Sequence, residues 1–258
     1  MDENNTVLRI ENLSKHYSNG RGVSGVSLSL RQGEVCGLLG PNGSGKTTVM
    51  KVVAGLCRAD SGSVEICGAD IESEYERATG AVGCLIEAPA LYGHLSAIRN
   101  LRLAARLRVP AAQAESECRR VLRLVHLERY ANDKANRFSL GMKQRLGIAI
   151  AALGTPRLLV LDEPANGLDI EGILEVRELV TALAAQCGCT VLMASHLAGE
   201  LEKTCTRVVV LHEGTMLCQA EMSEATAGGL SLEEYYLEQV RRSRLAAQQD
   251  NLGGARYA

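Results

Sequence analysis

Gly40-Pro41-Asn42-Gly43-Ser44-Gly45-Lys46-Thr47-Thr48 decides how this chain of 258 residues is read. An apolar run, Val35-Cys36-Gly37-Leu38-Leu39, precedes it and reads as a buried strand. Val49-Met50-Lys51-Val52-Val53-Ala54-Gly55-Leu56 follows at helical spacing. Strand, glycine-rich loop and helix, with Gly-x4-Gly-Lys-Thr at the junction, form a cradle for nucleotide phosphates. Glycines let successive backbone N–H groups converge on phosphate oxygens, and the helix adds the positive end of its dipole. Lys46 is placed to reach the β- and γ-phosphates, and the Thr47 hydroxyl to complete a Mg²⁺ shell. The expected ligands are therefore ATP and Mg²⁺, with Gly40, Asn42, Gly43, Ser44, Gly45, Lys46, Thr47 and Thr48 as the cradle.

A phosphate loop needs a partner acid, and Leu158-Leu159-Val160-Leu161-Asp162-Glu163 supplies one. Four apolar residues run into two carboxylates at the C-terminal end of a strand, where ligand sites form in α/β sheets. Asp162 is placed to hold the metal through water, and Glu163 to orient or deprotonate an attacking water. Phe138-Ser139-Leu140-Gly141-Met142-Lys143-Gln144-Arg145 opens a further helix. Ser139 fits its N-cap, where a hydroxyl and free N–H groups can bind an anion or simply cap.

Around these motifs, short strands at Val7–Ile10, Val26–Leu30 and Gly62–Ile66 suggest a small, partly antiparallel sheet. Helical spacing takes over from about residue 89 to 155. After Pro156 apolar strands return at Leu158–Leu161, Thr190–Ala194 and Arg207–Leu211. Strands alternating with helices argue for a parallel sheet covered on both faces. The expected division is a core over 1–88 and 156–218, a helical lobe over 89–155, one domain ending near 240, and a frayed, disordered tail over 241–258.

Composition excludes several alternatives. The net charge is −2, aromatics make up 3% of residues and Trp is absent, which argues against a nucleic-acid-binding surface. Nine scattered cysteines without a Cys-x2-Cys pair read as reduced, mostly buried thiols. The polar start Met1-Asp2-Glu3-Asn4-Asn5 gives no signal peptide. The longest apolar stretch, 147–161, is interrupted by Thr155, Pro156 and Arg157 and is too short to span a bilayer.

In order along the chain stand Tyr17, the 40–48 loop, Ser139-x-Gly141, Leu161-Asp162-Glu163-Pro164, Asn166-Gly167-Leu168-Asp169 and Ser195-His196. This series resembles the ATP-binding subunit of ABC transporters over nearly all of residues 6–240. The resemblance implies a P-loop NTPase (RecA-like) α/β core with a small antiparallel β subdomain and an inserted α-helical subdomain. It also implies that Tyr17 stacks on adenine, a contact worth about 1 kcal/mol, and that His196 touches the γ-phosphate and the attacking water. Ser139 and Gly141 would act on the partner subunit's ATP, and Asp169 would lie in the loop crossing between subunits. The implied partners are a second ATPase subunit, expected as a homodimer, and a separate multi-span membrane permease. The implied location is the cytoplasm, peripheral on the inner face of the membrane.

Two positions depart from the family pattern. Most members place a Gln where the core enters the helical lobe, whereas this chain has Glu87 in Leu85-Ile86-Glu87-Ala88-Pro89-Ala90-Leu91-Tyr92. An ionised Glu only accepts hydrogen bonds and adds negative charge beside metal and γ-phosphate. Glu87 is therefore a candidate for both catalysis and metal binding. Together with Ser-Leu-Gly-Met-Lys-Gln-Arg, this segment resembles the bacitracin-export and lantibiotic-immunity ATPases. Arg99 stands where the family usually has an acid. Competing readings are a transporter for unrelated cargo, a non-transport ABC ATPase acting on ribosomes or DNA, and a nucleotide sensor without turnover.

Overall fold

The computed structural model describes residues 5–254. In chain order the strands are β1 (Thr6–His16), β2 (Gly22–Arg31), β3 (Val35–Leu39), β4 (Ser61–Ile66), β5 (Ala69–Asp70), β6 (Val82–Leu85), β7 (Leu158–Asp162), β8 (Thr190–Ser195), β9 (Arg207–His212) and β10 (Thr215–Glu221). The helices are α1 (Lys46–Val53), α2 (Tyr75–Gly80), α3 (Ala97–Ala105), α4 (Ala111–Leu124), α5 (Leu140–Ala151), α6 (Ile170–Cys187), α7 (Ala198–Thr204), α8 (Met222–Ala225) and α9 (Leu232–Gly254). Among the described residues the strands join in one sheet, ordered β5-β4-β1-β2-β10-β9-β3-β8-β7-β6. One end, β5 to β2, is antiparallel. The other, β9-β3-β8-β7-β6, is parallel. The fold is thus mixed α/β with an antiparallel extension of a parallel core.

The apolar runs explain the centre. Every residue of β3, β7 and β8 is buried, as strands covered on both faces require. Alternation then sends successive side chains to opposite faces. Val35, Leu39, Leu159, Leu161, Val191 and Met193 join the core under α3 to α7. Cys36, Leu38, Leu158, Val160, Leu192 and Ala194 join the core under α1 and the antiparallel strands. Each fully buried Leu or Val stabilises the fold by roughly 1.5–3 kcal/mol, so both faces are held by the same three strands. Because β3 and β7 are parallel and flank β8, the residues after their C-terminal ends emerge side by side. That places the 40–48 loop next to Asp162 and Glu163.

The structure adds elements to the sequence reading. β9 and β10 form a hairpin whose two-residue turn, Glu213-Gly214, has φ of 49° and 77°, the turn that matches strand twist. β10 alternates half-buried and exposed residues, so it carries little apolar signal. β6 is short and contains Gly83, where an added Cβ would lie 2.0 Å from the Ala151 carbonyl oxygen; close packing of α5 demands glycine there.

The tail expected to fray from residue 241 is helical instead, since α9 continues to Gly254; residues 255–258 lie outside the described residues. The helix is nucleated upstream. Ser231 Oγ accepts from Glu234 N (3.3 Å) and Glu234 Oε2 accepts from Ser231 N (2.9 Å), a reciprocal cap. Tyr236 Oη pairs with His212 Nδ1 at 2.9 Å, and Arg242 pairs with Glu238 one turn back. Cys36, Cys118, Cys189 and Cys205 are buried, Cys57, Cys67 and Cys218 half-buried, and Cys84 and Cys187 exposed; all nine are free thiols.

Candidate functional site

The 40–48 loop leaves β3 and turns into α1 through backbone that only glycine accepts easily. Gly43 has φ 84° and Gly45 φ 103°. An added Cβ on Gly45 would lie 2.2 Å from Val23 Cγ1, and one on Gly40 2.2 Å from the Leu211 carbonyl oxygen. The loop is thereby pressed against β2 and β9. Lys46 is 5% exposed; its Nζ donates to the carbonyls of Gly40 (2.7 Å) and Pro41 (3.2 Å) and lies 3.5 Å from Glu163 Oε1. A lone buried ammonium is costly; here the loop carbonyls and Glu163 satisfy it.

Across the loop, Thr47 Oγ1 donates to Asp162 Oδ2 at 2.8 Å. Burial pushes the Asp162 carboxyl up from its ordinary range and the Glu163 charge adds to this, while the Thr47 hydrogen bond opposes both. Asp162 Oδ1 is buried without a partner among the described residues. A hydroxyl and an unsatisfied carboxylate oxygen side by side suit a hard cation that takes oxygen ligands, so the donor set fits Mg²⁺.

Glu163 adopts φ 49°, a left-handed conformation uncommon for a side-chain-bearing residue. That turn aims its carboxylate back over the loop. Its Oε2 pairs with His196 Nδ1 at 2.9 Å and accepts weakly from His196 N at 3.4 Å. His196 therefore contacts Glu163 itself and lines a neighbouring cavity beside Gly40 and Pro41.

A cleft of ≈ 680 Å³ is lined by Tyr17, Asn42, Glu87, Asp162 and Glu163. It is lined by Gly43, Gly45, Thr47 and Thr48 as well. Tyr17 is 37% exposed, with its ring 5.9 Å from Lys15 Nζ. Ser44 is buried beneath the loop, and its Oγ has no partner among the described residues.

Three expected residues lie away from this chain's own loop contacts. Ser139 is the N-cap of α5, its Oγ accepting from Met142 N at 3.2 Å. Gly141 faces open space: an added Cβ would meet nothing nearer than Leu168 Cδ2 at 3.9 Å. Asp169 caps α6, accepting from Gly172 N at 2.9 Å. Sequence reasoning overlooked Lys51, Gln144 and Asn166, which also line the cleft. Lys51 stands four residues after Thr47, one turn along the same face of α1, and that spacing was the available signal. Asn100 was also missed. It is 3% exposed, and its side chain accepts from Tyr92 N and donates to the Tyr92 and Ser96 carbonyls, locking the segment that enters the helical region.

A model of the ABC transporter family matches residues 23–166, more than half of the chain. This chain belongs to the ABC transporter family. It is 37% identical over 212 residues to the bacitracin transport ATP-binding protein BcrA of Bacillus licheniformis, covering 82% of this chain and 69% of that protein. It is 36% identical over 234 residues to the lantibiotic transport ATP-binding protein SrtF of Streptococcus pyogenes, covering 91% and 97%. A solved ATP-binding subunit of an ABC transporter superposes with a TM-score of 0.80 at 31% identity, over 91% of this chain and all of that one. The ABC fold and the phosphate cradle together make this an ATP-binding, ATP-hydrolysing subunit. Among the described residues no helix is long and apolar enough to cross a membrane.

Proposed function

We propose that this ABC ATPase powers export of, or immunity to, antimicrobial peptides of the bacitracin or lantibiotic type. It would act with a second ATPase subunit and a separate multi-span permease, peripheral on the cytoplasmic face of the membrane. The observation that carries the cargo reading is Glu87. It puts a carboxylate into the cleft wall, on the very segment that resembles peptide-antibiotic ATPases. The bacitracin and lantibiotic transport proteins among its relatives support the same reading.

In the proposed reaction Lys46, Thr47, Thr48 and the loop N–H groups bind the triphosphate, and Tyr17 stacks on the base. Thr47 and Asp162 would hold Mg²⁺, whereas the Glu87 carboxylate is paired with Lys51. The metal supplies charge neutralisation at the β- and γ-phosphates. Glu163 orients the attacking water and accepts its proton, and His196 holds that carboxylate in place through Nδ1. Ser139 and Gly141 would complete the nucleotide site of a second subunit. This chain's own packing does not require glycine at 141, and close approach of a partner's ATP gives the open space there a purpose. Asp169, beside them at the start of α6, would lie at the same junction.

The test is susceptibility. Cells expressing this chain with its co-encoded permease should tolerate more bacitracin or lantibiotic than cells lacking both. Unchanged susceptibility, with purified protein still hydrolysing ATP, rejects the peptide cargo. Glu87→Gln should change that protection several-fold, because it alters charge and hydrogen bonding at the segment leading into the helical region. Equal protection by both versions would remove any special role for Glu87. A second reading, a different antibiotic cargo, is favoured by 36% identity over 212 residues to the linearmycin resistance ATP-binding protein LnrL of Bacillus subtilis. Linearmycin in the same assay separates the two.

A further inference from the structure

Lys51 lines the cleft, and neither the motifs nor the comparisons give it a task. Its Nζ lies 2.8 Å from Glu87 Oε1. Thr47 and Lys51, one helical turn apart on α1, thus each hold a carboxylate: Asp162 for Thr47, Glu87 for Lys51. Glu87 itself sits just beyond β6 with φ 64°, a conformation that costs a non-glycine residue energy and persists where surrounding contacts hold it. The ion pair is such a contact.

The charges of the cleft explain why the contact matters. Three carboxylates (Glu87, Asp162, Glu163), two ammonium groups (Lys46, Lys51) and the Arg21 guanidinium line it. Lys46 is 3.5 Å from Glu163, and among the described residues Lys51 is the cation that pairs with Glu87. Lys51 also lines the same cleft as Asp162 and Tyr17. Lys51 holds the Glu87 carboxyl below its usual range and is itself raised by Glu87. Without its partner, either charge would act directly on an incoming polyphosphate.

We propose that Lys51 is a positioning residue for nucleotide binding, which holds and neutralises Glu87 so that the pair presents no net charge to the triphosphate. The inference rests on the ATP site and not on the cargo, so it stands or falls separately from peptide transport.

The experiment is a double-mutant cycle read as the Kd for a fluorescent ATP analogue, with and without Mg²⁺, alongside Tm. Lys51→Gln leaves Glu87 unpaired and should weaken binding roughly three- to tenfold, because like charges repel at short range even in partly solvated surroundings. Glu87→Gln leaves Lys51 unpaired and should tighten binding by a similar factor. The double variant should return close to the unmodified chain, and Lys51→Arg should preserve its Kd. Both single effects should shrink at about 0.5 M salt, where screening falls to a few ångströms.

Three results would overturn the proposal. If the double variant binds as weakly as Lys51→Gln, Lys51 contacts phosphate directly and Glu87 is incidental. If both single variants weaken binding and lower Tm alike, the pair is a structural tie without electrostatic bearing on the ligand. If neither single variant moves Kd, the pair does not act on the nucleotide. Lys46→Ala serves as the separate check on the site itself: binding that survives it would refute the phosphate cradle and, with it, the role proposed for Lys51.

Discussion

Replacing Glu163 with Gln should cut ATP turnover by roughly 10²–10⁴-fold while nucleotide binding persists. The amide has the shape of the carboxylate and can keep an oxygen facing His196 Nδ1, now 2.9 Å from Glu163 Oε2. The left-handed backbone at Glu163 is unaffected by the exchange. What the variant loses is the capacity to accept a proton from water. It also loses one negative charge beside the phosphates, so affinity should hold or rise. Steady-state phosphate release measures the first effect and equilibrium binding the second. Turnover within a factor of three of the unmodified chain would show that another group activates the water.

Gly40→Ala should reduce ATP affinity by at least about 100-fold and destabilise the fold by roughly 1–3 kcal/mol. The reason is space rather than backbone freedom. The added Cβ would lie 2.2 Å from the Leu211 carbonyl oxygen and 2.5 Å from Ser44 Oγ. Neither neighbour yields cheaply, since Leu211 lies within β9, paired to β3 and β10, and Ser44 is buried. The loop must therefore lift away from the sheet, taking the Gly40 carbonyl from Lys46. Gly43→Ala is the informative contrast. Nothing lies within 4 Å of its Cβ, but φ is 84°, so only the conformational cost of about 1–2 kcal/mol applies. Thermal unfolding and nucleotide titration on both variants separate a steric from a conformational requirement. Equal, small effects would mean that the loop accommodates a side chain at 40.

Much of the parallel core was legible because its strands are continuous apolar runs, as strands buried on both faces must be. β10 was not, because it is half-exposed and its residues are mixed. The site divided along similar lines. The glycine loop, Lys46, Thr47 and Asp162-Glu163 lie within two short segments and carry their chemistry in their order. The contacts that tie those segments to the rest span long separations: 33 residues between Glu163 and His196, and 36 between Lys51 and Glu87. No local pattern encodes such pairs; β8 and β6 bring them together by running parallel to β7 in the same sheet. α9 shows the opposite error. Arginines and paired glycines near the end suggest fraying, yet a reciprocal cap at Ser231 and the contacts of Tyr236 with β9 start a helix that runs on to Gly254.

One chain carries one phosphate loop and one Ser139-x-Gly141 helix start, so in the proposed function it would supply half of each shared ATP site. The most direct test is sedimentation of the Glu163→Gln protein with Mg-ATP, where slow turnover preserves the triphosphate. The expected result is a monomer without nucleotide or with ADP, and a dimer with ATP. A chain that binds ATP under these conditions and remains monomeric at every concentration examined would contradict it.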